Sequence, residues 1–250
     1  MTDTADPSAV DAQVRAATRA GLAVGLATAA YGVSFGALSV AAGLDVWQTC
    51  VLSLLMFTGG SQFALVGVLA AGGAAAGPAA IASAALLGAR NALYGIRVKP
   101  LVGGGFWQKF AAAWLTIDES TAVSTAQTAP RAQRRGFWVT GAAVFVGWNL
   151  TTLIGALLGD ALGDVRAYGL DAAAAAAFLG LLWPRLRRLQ PIVVAIGAAV
   201  VAAVLTPWLP AGVPVLAAAV VAVAVGLTDW LGRRDASGSA DPIVGDGGAP

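Results

Sequence analysis

Long apolar runs separated by short charged breaks recur along nearly the whole chain, at the spacing of membrane crossings rather than of a soluble core. A helix needs about 20 apolar residues to cross the hydrocarbon layer. Residues 20–44 carry no charge and predict a first span. Residues 46–89 are uncharged too but too long for one helix, and Ala71-Gly72-Gly73 followed by Gly77-Pro78 predicts a turn inside them. That turn yields second and third spans near 46–70 and 79–96. A fourth is expected over 110–129, a fifth over 136–158, a sixth over 167–183, a seventh over 191–209 and an eighth over 214–230. The fold class is therefore all-α: a polytopic helical membrane protein of about eight transmembrane helices, one or more broken by glycine pairs. Asp171 shortens the sixth span, which leaves a seven-span alternative.

Basic residues choose between the two. With eight spans and a cytoplasmic N-terminus, Arg15, Arg19, Arg131, Arg134, Arg135, Arg185, Arg187, Arg188, Arg233 and Arg234 fall inside. Only Arg97, Lys99, Lys109 and Arg166 fall outside, as the positive-inside rule requires. Seven spans would export the Arg185–Arg188 cluster. Residues 1–19 read as a polar cytoplasmic tail with no cleaved signal peptide, 20–231 as the transmembrane domain, and 232–250 as a disordered cytoplasmic tail. Tryptophans 47, 107, 138, 183, 208 and 230 sit at span ends, as an aromatic belt does. A sequence echo links Gly36-Ala37-Leu38 to Gly155-Ala156-Leu157, a hint of an internal repeat.

Composition narrows the function classes. Hydrophobic residues make up 58% and charged residues 11%, against about 25% charged in soluble domains. The formal net charge is only +2, in short clusters, so a nucleic-acid partner is not expected. There is no histidine and one cysteine, Cys50, which removes histidine-based metal sites, internal disulfides and every Ser-His or Cys-His nucleophile. With no GxxxxGK phosphate loop in the chain and no histidine to activate a serine or cysteine, no enzyme, cofactor or metal is expected.

The informative residues are the polar ones at depth. Asp118 and Glu119 fall near the middle of the fourth span, where a carboxylate costs about 2.5–3.5 kcal/mol and marks a functional site by default. Adjacent helical residues diverge by about 100°, so one acid can face a cavity while the other faces a neighbouring helix. Arg90, beside Asn91 in the third span, is the natural ion-pair partner, or captures a substrate carboxylate with its planar fork; snorkelling to the interface is the bland competitor. In the second span, Gly59-Gly60-Ser61-Gln62 lets the helix unwind or another backbone approach, with Gln62 lining a cavity. Tyr31-Gly32-Val33-Ser34 in the first span and Trp148-Asn149-Leu150-Thr151-Thr152 in the fifth repeat the mixture of glycine, hydroxyl and aromatic groups. Each alone reads more simply as packing.

Taken in order, Tyr31-Gly-Val-Ser-Phe-Gly-Ala-Leu, Ala42-Gly-Leu-Asp-Val-Trp-Gln, Phe57-Thr-Gly-Gly-Ser-Gln-Phe-Ala, Arg90-Asn-Ala-Leu-Tyr-Gly, Thr116-Ile-Asp-Glu-Ser and Gly169-Leu-Asp with Phe178 resemble the AzlC family of branched-chain amino-acid exporters. The resemblance runs from about Gly21 to Leu231. It implies a permease subunit in a bacterial inner membrane, with both termini cytoplasmic. It also implies a small AzlD-type membrane partner and export of leucine, isoleucine, valine and related amino acids such as methionine, driven by the proton-motive force. On that reading Gly59, Gly60, Ser61, Gln62, Arg90, Asn91 and Tyr31 hold the substrate, between walls such as Phe35, Phe57 and Phe63. Asp118 and Glu119 couple protons. Relatives often carry histidine where this chain has Asn91, which leaves the proton to the two acids. The competing classes are the membrane subunit of an ATP-driven transporter, for which the inside loops look short, and a non-transporting membrane scaffold.

Overall fold

Glycine and alanine form one stripe along the first long helix, and that stripe decides the packing. The computed structural model describes residues 7–163, 179–180, 182–183 and 186–228, helical apart from turns and short irregular links and without a strand among them. Two compact units divide the chain, Met1–Leu179 and Gly180–Pro250. In the first unit the helices are α1 (Pro7–Ala41), α2 (Val46–Leu55), α3 (Gly59–Gly72), α4 (Gly77–Gly88), α5 (Arg90–Val102), α6 (Phe106–Trp114), α7 (Asp118–Thr125) and α8 (Pro130–Leu162). The second unit holds α9 (Leu189–Leu205) and α10 (Val213–Thr228), both apolar and packed on each other. Most of the predicted sixth span, with Arg166, Phe178 and Arg185, and the C-terminal tail lie outside the described residues, as do Asp229, Arg233 and Arg234.

Helices α1 and α8 lie side by side along most of their length. A Cβ on Gly21 would meet Thr140, on Gly25 Ala143, on Gly32 Thr151 and on Gly36 the carbonyl of Thr152. The partners advance together, so the two helices are parallel. The closest point is reciprocal: Gly36 lies on the Thr152 carbonyl, and Gly155 on that of Val33. The two segments of the sequence echo therefore stand beside each other in register. Membrane helices associate through such small-residue contacts because lipid gives apolar side chains no reason to leave it. Thr151 Oγ1 adds a hydrogen bond to the Ala29 carbonyl (2.7 Å) across the pair. Outward faces keep large apolar residues, such as Leu26, 79% exposed. The helix also takes in residues 7–19 of the polar tail, where Asp11 pairs with Arg131 at 2.9 Å.

The chain then departs from straight crossings. Gly43 (φ 96°) ends the first helix, and Asp45 opens α2 with a capping box to Gln48. Helix α2 follows α8 back until Ser53 Oγ reaches Thr152 Oγ1 at 3.4 Å, and leaves the helix at Met56–Thr58. Helices α3 and α4 are antiparallel: Gly60 faces Leu87 and Arg90, Gly88 faces Ser61, and the turn at Gly72–Ala76 uses Gly73 at φ 59°. Helix α4 continues into α5 through a one-residue defect at Ala89, whose backbone stays in the α region. Helix α5 delivers Val98 and Val102 against Phe137, near the start of α8. So α4–α5 crosses from the far end of α8 to its start, and α3, antiparallel to α4, returns to the end from which α2 came.

A second hairpin mirrors the first. On α6, Ala112 packs with Phe137 and Leu115 lies against Gly141, one turn further along α8. On α7 the order reverses: Val123 lies against Gly136, and Ser124 Oγ donates to the Gln133 carbonyl (2.9 Å). Helices α6 and α7 thus enter from the end where α8 begins, turn at Leu115–Ile117, and return. The first unit is three long crossings (α1, α4–α5, α8) with two re-entrant hairpins dipping in from opposite ends.

This corrects the predicted path of the second and fourth spans. Both have the length and apolarity of a crossing, but a glycine- or hydroxyl-marked break lets the chain reverse instead of continuing. The correction moves charges as well. The loop at 103–105 lies beside Arg134, with a Cβ on Gly103 only 3.7 Å from its Nη1. Arg97, Lys99 and Lys109 therefore belong to the same end as Arg15, Arg19, Arg131, Arg134 and Arg135, not to the opposite one. Asp45 and Asp160 mark the other end, and the charge asymmetry is stronger than the sequence map suggested.

Candidate functional site

The two hairpin vertices and the Ala89 defect meet at one depth, and Arg90 and Asp118 meet there too. Arg90 opens α5 and Asp118 opens α7, and their Nη2 and Oδ2 atoms are 2.7 Å apart. The side chains keep 26% and 29% of their exposure, so the pair is half-buried rather than sealed. Glycine opposite gives the guanidinium room: a Cβ on Gly60 would lie 3.0 Å from Arg90 Nη2. The guanidinium therefore lies between the first turns of α3 and α7. Both helix starts aim backbone N–H groups and the positive end of the helix dipole at this point, an arrangement that favours anions. Asp118 meets that demand, and Glu119 follows it without a salt-bridge partner among the described residues.

The α2–α3 vertex is held by Gln62, which has no exposure. Its Nε2 donates to the Met56 carbonyl (2.7 Å) and the Ser53 carbonyl (3.3 Å), next to or within the break. Its Oε1 accepts from Trp148 Nε1 at 2.8 Å. The indole stacks on Phe35 with ring centroids 5.8 Å apart and meets Phe63 edge-on. Phe35, Phe57 and Phe63 are all buried in this cluster with Ile117 and Val144. Gln62 thus stands in the wall behind the site with both amide ends engaged, rather than facing a solute. Trp148 was legible only as one polar interruption of the fifth span; the sharper signal was that a buried glutamine oxygen needs a donor, and indole N–H is one that asks for nothing in return.

Hydroxyls hold the α6–α7 vertex. Ser120 Oγ donates to the Leu115 carbonyl (2.6 Å) and accepts from Ile117 N–H (3.1 Å). Thr116 Oγ1 bonds back to the Ala112 carbonyl at 2.7 Å. The break so stabilised puts two consecutive acids at the head of an eight-residue helix.

Of the other predicted residues, Gly59 lies against the Trp148 ring and Gly60 against Arg90. Ser61 is buried beside Gly88, and its Oγ has no hydrogen-bond partner. Arg90 Nε and Asn91 Oδ1 are likewise buried and unpartnered. These atoms leave one donor, one acceptor and one hydroxyl around the meeting of α3, α4 and α5. Tyr31 is 48% exposed on α1 and makes no hydrogen bond to the Arg90–Asp118 pair. Phe35, Phe57 and Phe63 are all buried next to the vertices, Phe57 keeping the most exposure at 8%.

Half-helices whose N-termini converge on charged groups, inside a bundle with apolar outer faces, are the architecture of a polytopic membrane protein with broken helices. The model of the AzlC family, described as AzlC protein, matches residues 23–162, a range that holds both hairpins and all of the site. That is more than half of the chain, and the protein belongs to the AzlC family, a family of branched-chain amino-acid transport. No curated protein and no solved structure matches it.

Proposed function

We propose that the chain is the large subunit of a proton-coupled secondary transporter that exports branched-chain amino acids across a bacterial inner membrane, together with a small AzlD-type membrane subunit. The observation that carries this reading is the half-buried Arg90–Asp118 pair at the meeting of two re-entrant helix starts. A substrate carboxylate competes with Asp118 for the planar fork of Arg90, with the first turns of α3 and α7 adding backbone dipoles. The displaced Asp118, or Glu119 beside it, then takes a proton or the substrate ammonium, so that the site never holds an unpaired charge away from water. Ser61 Oγ and Asn91 Oδ1 complete the polar contacts, and Phe57 and Phe63 border the aliphatic side chain. The α6–α7 hairpin, entering from the end where α8 begins, serves as the gate against the fixed wall of α2–α3. Both termini are cytoplasmic, which the one-sided gathering of basic residues supports.

The test is efflux of radiolabelled leucine, valine and methionine from cells producing both chains. Asp118→Asn with Glu119→Gln is expected to reduce efflux to background while the protein remains inserted. Undiminished leucine efflux from that double variant would end the mechanism. An uncoupler applied with ATP maintained should stop transport; persistence would point to an ATP-driven partner instead.

A further inference from the structure

Five arginines from two helices line one groove at the end where α1 and α8 begin: Arg15 and Arg19 on one wall, Arg131, Arg134 and Arg135 on the other. The groove encloses about 810 Å³. Topology alone explains why basic residues lie at this end, but not why they converge, since Lys99 and Lys109 share the end and stand outside the groove. Like charges set side by side repel unless an anion sits between them. Of these five, within the described residues, only Arg131 has a carboxylate, Asp11 at 2.9 Å, and Arg135 Nε donates to Thr18 Oγ1 at 3.3 Å. Arg15, Arg19 and Arg134 have none.

The groove is not purely polar. Val14 and Trp138 form part of its wall. It lies where α1 and α8 pass from their charged ends into their apolar stretches, the depth of lipid headgroups. The chemistry that fits this lining is a phosphate flanked by apolar chains. We propose that this groove is a binding site for an anionic phospholipid, whose phosphodiester is held by the guanidinium forks of Arg15, Arg19 and Arg134 and whose acyl chains run along Val14 and Trp138. Arginine suits the task because its fork meets phosphate oxygens two at a time. Basic pockets between membrane helices at a cytoplasmic face take such headgroups. An occupant there ties the start of α1 to the start of α8, and so fixes the base on which the α6–α7 hairpin is seated.

The full chain, purified in mild detergent, is titrated with phosphatidylglycerol or phosphatidylcholine, and bound lipid is counted by native mass spectrometry. The wild-type chain should hold one phosphatidylglycerol well above the phosphatidylcholine background. Arg15→Gln with Arg19→Gln and Arg134→Gln should weaken that affinity on the order of 100-fold, from the loss of three charges near the surface. Lys99→Gln with Lys109→Gln removes two charges from the same end and should leave it unchanged. If the glutamine variant fails to insert, Arg15→Lys with Arg19→Lys and Arg134→Lys preserves the charge, loses the forks, and should still cost about tenfold. Equal retention of both lipids by the wild-type chain, or unchanged phosphatidylglycerol affinity in the arginine variants, overturns the proposal. So does displacement of the lipid by millimolar inorganic phosphate, which would make the groove a site for the free ion.

Discussion

At the vertex of the α2–α3 hairpin a neutral amide closes the carbonyls around the break, and Arg90 lies across Gly60. At the vertex of the α6–α7 hairpin two hydroxyls close the break, and two acids stand forward of it. Both hairpins solve the same problem, since a broken helix in lipid must find partners for its freed backbone groups. The first solves it with Gln62 and Trp148, buried side chains that fill their hydrogen bonds inside the protein. The second uses Ser120 and Thr116, which leaves the first turn of α7 free to carry Asp118 and Glu119. The difference teaches a division of labour. On the proposed reading, one hairpin is a fixed wall and the other bears the charges that exchange partners.

The strongest test of that division is Gln62→Leu. It orphans Trp148 Nε1, takes a donor from the Ser53 carbonyl and leaves the Met56 carbonyl with the Thr58 N–H alone, at about 1–3 kcal/mol for each buried group left unpaired. A large fall in thermal stability of the purified protein is expected, and a change within experimental error would remove Gln62 from the wall. Trp148→Phe comes next. It deletes one donor and keeps much of the stack on Phe35, so a loss of about 1–3 kcal/mol is expected from the orphaned Gln62 Oε1. Because the two side chains bond each other directly, the pair should be non-additive by about 0.5–3 kcal/mol in a double-mutant cycle of denaturation midpoints. Additive effects would mean that the indole contributes by packing alone.

How much of this was legible in the sequence depends on which interaction decided it. Glycine spacing and uncharged runs located α1, α8 and the turn at Gly73, because those signals are local. The break near Gly59 was anticipated as well, although it falls at Met56–Thr58 and the glycines form the first turn of α3. Direction was hidden. Residues 46–72 have the hydropathy of a crossing whether they continue or turn back, and what turns them back is contact with residues far along the chain, Leu87, Arg90 and Trp148. The same blindness put Lys99 and Lys109 at the wrong end. The pairing of Arg90 with a carboxylate could be guessed from charge alone, since each is costly at depth without the other. That the partner is Asp118 needed the helix start to be fixed, because Glu119 lies only about 100° away around α7.

Among the hydroxyls of the second vertex, Ser120→Ala should cost about 1 kcal/mol, the net value of a typical hydrogen bond. The effect is smaller than at Gln62 because Ile117 N–H and the Leu115 carbonyl stand at the break itself, within reach of small rearrangement. A fall in thermal stability as large as that of Gln62→Leu would show the two vertices to be equally rigid, against the division drawn above.

Arg90→Lys should disturb stability least and transport most. An ammonium can still meet Asp118, and a half-exposed ion pair is worth only about 0–1 kcal/mol, so the denaturation midpoint should barely move. What disappears is the planar fork, which can hold one carboxylate while another arrives, and the lysine point charge cannot. Gly60 admits the flat guanidinium against α3, and that close seat has no equivalent for a tetrahedral ammonium. Leucine efflux measured at saturating internal substrate should therefore fall by at least about tenfold with the protein level unchanged, one power of ten being the rate effect of some 1.4 kcal/mol. If efflux survives the substitution and Gln62→Leu abolishes it in a protein that stays folded, the exchange of partners takes place at the first vertex and the roles of the two hairpins are reversed.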